Sequence, residues 1–316
     1  GMGADIYESY VAAMVSSIVL ATAAHPNSWI HLIFPLVVSA LGLAGSLFGL
    51  GINVLVRADA GKMLSNATYM SVASFVALAG GYIYTAGLEV NLFYSVLLGC
   101  TAGIIVGTLT EYYTGGAPIK KLAKSSESGV ATNIIYGLSI GMESTVAPVV
   151  LLGFAVWLSY TYGGGLFGVS IAAVSMLSTV GITMTVDAYG PIADNAGGIA
   201  EMVGYGKEVR DITDRLDALG NTTAAIGKGF AIGSALLAAL GVFAAYAQQA
   251  NVEVLNLVNP DILVGIFIGA TMPFLVSSLT MRSVSEAALD MVMEVRRQFK
   301  EIPGIMEGEA EPDYKR

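Results

Sequence analysis

The fold class this sequence predicts is an all-α, polytopic membrane bundle. Three observations predict it: a shortage of charge, a succession of long apolar runs, and a one-sided placement of lysine and arginine. Of the 316 residues, 55% are hydrophobic and 12% charged, and the mean hydropathy is +0.70. Soluble domains carry about 25% charged residues, so much of this surface faces something other than water. Glycine is frequent, at 38 residues. Small residues let helices approach closely where lipid supplies no hydrophobic drive for association.

A run of about 20 apolar residues spans a bilayer. Eight such runs are expected, near 6–24, 30–56, 65–85, 90–112, 129–161, 166–203, 219–248 and 259–280. Several exceed the hydrocarbon thickness and should tilt or project beyond it. Breakers separate them: HPNS at 25–28, ADAGK at 58–62, TGGAP at 114–118 and YGGG at 162–165. Alternating the connections puts 57–64, 113–127, 204–218 and 281–316 on one side. There lie Arg57, Lys62, Lys120, Lys121, Lys124, Lys207, Arg210, Arg215 and six basic residues of the tail. The connections at 25–29, 86–89, 162–165 and 249–258 hold none. This bias assigns the basic side to the cytoplasm and supports the span count. The whole of 1–316 reads as a single transmembrane portion. Its tail, 283–316, begins as an amphipathic helix with Ala287, Met291 and Val295 on one stripe and turns acidic and loop-like after Pro303.

Composition also excludes partners. A net charge of −9 gives no footprint for nucleic acid. The lone Cys100 precludes an internal disulfide and reads as a core-packing residue. His25 and His31 have no evident ligand partners, which argues against a zinc site. No P-loop and no Ser/His/Asp set can be assembled.

Ionisable residues within apolar spans are costly and mark sites or pathways. Asp5, Glu8 and Ser9 fall at i, i+3 and i+4 on one helix face. This all-oxygen set suits a hard cation or an exchangeable proton, and equally a water-exposed helix end. Asp187, Asp194 and Glu201 step by seven, two turns at a time, with Asn195 and Gly190-Pro191 beside them. Such a stripe without nearby cations repels itself, and a bound divalent cation would compensate it. Asp217, Asn221, Ala224 and Lys228 share a third face, where a buried ammonium would serve an ion pair or a phosphate. Glu143 reads as a packing hydrogen bond or part of a gate, the former preferred, and Arg57 with Asp59 as a loop pair.

These segments carry a family resemblance. GMGADIYES at 1–9, VDAYGPIADNAGGIAEM at 186–202, DALGNTTAAIGKGFAIGSA at 217–235 and ATNIIYGLSIGMEST at 131–145 strongly resemble the membrane-integral, ion-pumping pyrophosphatases. The likeness implies hydrolysis of pyrophosphate in a magnesium-loaded cytoplasmic funnel, with Na+ or H+ moved outward through a gate below it. It implies Asp194 as a Mg2+ ligand, Asn221 as a pyrophosphate contact, and Asp187 deeper, at the funnel base. It places Asp5, Glu8 and Ser9 in the ion gate. Ala224 with Gly227 resembles the K+-dependent branch; in the K+-independent branch a lysine at the position of Ala224 would stand in for the K+ ion. Glu8, one turn after Asp5, resembles the Na+-pumping members. The family has sixteen spans and works as a homodimer, so the resemblance implies about half of a fold. The DNVGD-type run that precedes GMGAD and the GDPFKDT-type motif of the final helices are absent here, which implies a central portion inactive alone. On composition and spans alone, a secondary cation transporter or channel fits as well.

Overall fold

The computed structural model describes residues 1–55, 59–252 and 254–314. Arg57, read above as a loop partner of Asp59, lies outside them, as do Lys315 and Arg316. Among the described residues the chain is helical and has no strand. The helices are α1 (Met2–Ala24), α2 (Trp29–Leu55), α3 (Ala60–Thr85), α4 (Val90–Gly115), α5 (Ala117–Ser125), α6 (Val130–Ser144), α7 (Val146–Tyr162), α8 (Gly165–Ser178), α9 (Val180–Met202), α10 (Lys207–Gln249) and α11 (Pro260–Glu301). Seven helical stretches are long and apolar enough to cross a membrane, or eight if the bent pair α8–α9 counts as one span. This is the polytopic bundle the hydropathy pattern predicts.

The differences from the predicted elements share a cause, since hydropathy sees only the apolar part of a helix. α10 begins at Lys207, in what reads as a loop at 204–218, because KEVRDITDRLDALG is a polar helix stiffened by Arg210 and Asp214 at i, i+4. α5 occupies part of the predicted 113–127 loop, with Pro118 in its first turn. α11 runs without a break from the apolar run through the amphipathic tail, 42 residues or about 60 Å. The predicted span 129–161 is one spanning stretch, Val130–Tyr162, within which α6 and α7 meet at Thr145.

The chain divides into two compact units, Gly1–Asn251 and Val252–Arg316. In the second, Asn259 caps α11 by accepting from the Asp261 N–H at 2.9 Å, with Pro260 opening the helix. The acidic segment after Pro303 folds back so that the Gln298 side chain exchanges two hydrogen bonds with the Asp313 backbone, at 2.9 and 3.0 Å. In the first unit the core surrounds α8, of which every residue from Phe167 to Ser178 is buried. Glycines bring the neighbouring helices onto it. A methyl group built on Gly42 of α2 would overlap Ser178, and one on Gly99 of α4 would overlap the Ala172 carbonyl. Across the bundle, a methyl on Gly241 of α10 would come 2.8 Å from Ser16 Oγ of α1. Cys100 is buried within this core, as the sequence predicts.

Gly99→Val in the full-length protein should therefore destabilise it by about 1–3 kcal/mol through overpacking against backbone. Gly81→Val, at a site with nothing within 4 Å, should change the thermal melt little.

Candidate functional site

The charged segments lie on α1, α9 and α10, and these helices meet. Where α9 crosses α10, a methyl on Gly190 would lie 2.9 Å from the Gly220 carbonyl oxygen. One on Gly220 would lie 2.8 Å from the Gly190 Cα. The two backbones touch. Tyr189 Oη donates to the Leu216 carbonyl at 3.3 Å across the same seam. One residue beyond Gly190, Pro191 lies inside α9 and has no N–H to give the Asp187 carbonyl four residues back. Two turns further along α10, the start of α1 closes over the buried Gly227. The space a Cβ would fill there lies 2.9 Å from Met2 Sδ and 3.9 Å from Asp187 Oδ1. The methyl end of Met184 of α9 reaches within 3.5 Å of the same kind of position on Gly3.

The structure thus brings together the opening of α1, Asp187 and Gly227, from three separate stretches of sequence. Asp187 is half-buried, while Asp194, two turns or about 10 Å further along the axis, is exposed. Asn195 turns its amide onto its own helix, donating to the Pro191 carbonyl at 2.7 Å. Asn221 is exposed and donates to Asp217 Oδ1 at 3.1 Å, so the two act as one polar unit on α10. Ala224 is half-buried between Asn221 and Gly227 on that face. On α1 the predicted trio divides. Ser9 is buried on the inward stripe with Ile6 and Ala13, whereas Asp5 and Glu8 are exposed.

Three sequence expectations need correction. Glu201 is not an uncompensated carboxylate, because Arg210 lies 3.7 Å away across the α9–α10 turn. That cation was hidden from a stripe drawn along one helix. Lys228 is exposed rather than buried, and no ion pair involves it among the described residues. The face it shares with Asn221 curves away from the packed seam. His31 does have a partner: its Nε2 lies 2.8 Å from Glu89 Oε2. Glu143 behaves as a packing residue, accepting from Tyr113 Oη at 3.2 Å.

Magnesium takes oxygen ligands in near-octahedral geometry. Asp194, exposed and without a hydrogen-bonding partner among the described residues, and Asp187 offer the right atoms. Their separation along α9 prevents closure on one ion. Among the described residues no three carboxylates of these helices gather within 4.8 Å. Asp187 and Asp194 thus offer the kind of oxygen donor magnesium takes, without forming a closed set between themselves.

The family model for inorganic H+ pyrophosphatase matches residues 1–316. The chain belongs to that family. A Clostridium tetani protein, whose name proposes a K(+)-stimulated pyrophosphate-energized sodium pump, is 50% identical over 100% of this chain and 48% of its own length. The K(+)-stimulated pyrophosphate-energized sodium pump of Thermotoga maritima is 39% identical over 99% of the chain and 49% of its own. The K(+)-insensitive pyrophosphate-energized proton pump of Methanosarcina mazei is 40% identical over 100% and 49%. The chain therefore spans about half the length of the curated relatives it matches.

The glycines of this family seam differ in what they touch, which yields a paired prediction. Gly220→Ala should cost about 1–3 kcal/mol, because its methyl meets backbone. Gly227→Ala should stay within about 0.5 kcal/mol, because the flexible Met2 thioether can swing aside. Thermal melts of the full-length protein separate the two.

Proposed function

We propose that the protein to which this chain contributes hydrolyses Mg2+-pyrophosphate to phosphate and couples the reaction to outward Na+ movement across a membrane, with K+ as activator. The observation that carries this reading is the convergence of the α1 opening, Asp187 and Gly227 in a chain of the pyrophosphatase family. A relative 50% identical bears a K(+)-stimulated sodium-pump name. Hydrolysis needs positioned charge on the phosphate oxygens and an oriented water. Mg2+, when bound, neutralises those oxygens. Asp194 is the chain's principal ligand for it, with the Asn221–Asp217 pair presenting an amide toward the substrate phosphates. Asp187, half-buried against the start of α1, links the funnel base to Asp5, Glu8 and Ser9. In this reading those three exchange the pumped ion as the charge above them changes. The carboxylates that activate water lie on the remaining helices of the same protein, and the assembly is a homodimer with its Lys/Arg-rich turns in the cytoplasm. Ala224 leaves room for K+, and Gly227 beside it keeps that face small.

A proton as the pumped ion is the second reading. Relatives 39–40% identical carry proton-pump names and are described there as K(+)-insensitive. Phosphate release by the full-length protein in detergent, with Na+ titrated at fixed K+ and then without K+, distinguishes them. Hydrolysis should require Na+ and rise with K+. Activity indifferent to Na+ favours protons, and none at all rejects the enzyme reading. Asp194→Asn should lower kcat/KM by at least about a hundredfold and raise the Mg2+ requirement. Ala224→Lys should hydrolyse without K+ at a rate that K+ no longer raises.

A further inference from the structure

At the end of the bundle opposite the Lys/Arg-rich turns, three connections converge. His25 follows the last residue of α1, His31 lies in the first turn of α2, and Glu89 precedes the first residue of α4. Their ligand atoms all lie within 4.8 Å of one another, the only such trio among the described residues. The imidazoles are stacked, with centroids 3.7 Å apart and planes 9° from parallel, and the buried Phe167 meets His25 edge-on at 5.5 Å. None of this contributes to the chemistry proposed at the other end of the helices.

We propose that His25, His31 and Glu89 form a binding site for a borderline divalent transition metal, Zn2+ above all, on this face of the protein. Two imidazoles and a carboxylate with a fourth position left to water are an open zinc donor set, and they disfavour the hard Mg2+ ion. The surroundings are built for it. Ser28 Oγ lies 2.6 Å from His31 Nδ1, which fixes the ring and leaves Nε2 directed at Glu89. A hydroxyl both donates and accepts, so Ser28 can take the proton relationship each form needs. Without metal, Nε2–H donates to the carboxylate. With metal, Nδ1–H donates to Ser28, and Nε2 presents its lone pair. Entry is open, because the Glu89 side chain is 53% exposed while His31 is 9% exposed.

Partial burial and the neighbouring His31 lower the His25 pKa against the opposing pull of Glu89. Burial raises the Glu89 carboxyl, but the His31 hydrogen bond and both histidines together outweigh it and hold it below its usual value. Zinc ligand atoms sit about 3.4 Å apart. The His31–Glu89 pair is already closer than that. His25, in the connection beyond α1, would turn its ring out of the stack to join them.

The test uses the full-length protein in detergent, stripped of metal, free of pyrophosphate and held in millimolar Mg2+. Zn2+ titrated against a chromophoric chelator should show one equivalent bound per chain. His25→Ala and Glu89→Gln should each weaken binding by about tenfold or more. Wild-type affinity in both variants overturns the site, as does the absence of any Zn2+ binding above the Mg2+ background. A second measurement needs no variant: X-ray absorption at the zinc edge of the wild-type protein should show two imidazoles. A shell of oxygen alone overturns the assignment. Neither readout depends on hydrolysis.

Discussion

Where α9 crosses α10, Gly190 and Gly220 leave no room for a methyl group, and the same holds for Gly99 against Ala172 and Gly42 against Ser178. Lipid tails solvate leucine as well as protein does, so apolar side chains alone give a membrane bundle little reason to associate. Backbone contact at glycine replaces that drive with dispersion between closely apposed main chains. The rest of the molecule follows from it. α8 can be surrounded on all sides because its neighbours approach at small residues. The opening of α1 can reach Asp187 of α9 and Gly227 of α10 because nothing bulky keeps them apart.

That convergence decides how the ionisable groups are held. Gly227 has no side chain, and Met2 and Asp187 share the space it leaves. A carboxylate brought into a helix seam this way is positioned by packing rather than by a paired cation. Glu201 shows the contrast. It lies on the same helix, but Arg210 compensates it at the exposed turn, and it is anchored rather than poised.

Much of the fold was legible because membrane spans announce themselves in one dimension. The apolar runs, their breakers and the lysine–arginine bias are each local in sequence, and the helices of the structure follow them. The polar extension of α10 was not legible from hydropathy, since Lys207 to Gly220 is stabilised by helix geometry and ion pairing rather than by apolar content. The fusion of the tail into α11 was missed for a related reason: a change from uniform to one-sided apolarity marks where a helix leaves lipid, not where it stops. Within the candidate site, the helical spacing of Asp187 and Asp194 and of Asn221 with Ala224 was readable. The meeting of Met2, Asp187 and Gly227 was not, because no periodicity links α1 to α9 and α10. His31 and Glu89, 58 residues apart, are the extreme case. Two residues at the starts of separate helices carry no signal of one another until the hairpins around them are built.

The span formed by α8 and α9 bends by 42° at Thr179, and its two halves have opposite surroundings. α8 is buried along nearly its whole length, whereas α9 buries only Ile182, Gly190, Ala193 and Ala200. In mechanical terms α8 is clamped on all sides, whereas α9 is held mainly along one edge, by its seam with α10. Rotating α8 would require its neighbours to repack, and pivoting α9 at Thr179 would carry α10 with it, because the Gly190–Gly220 contact joins the two. Any force on Asp187 or Asp194 is therefore passed to α10 as well as to the bend at Thr179, and the clamped half gives the pair a fixed reference.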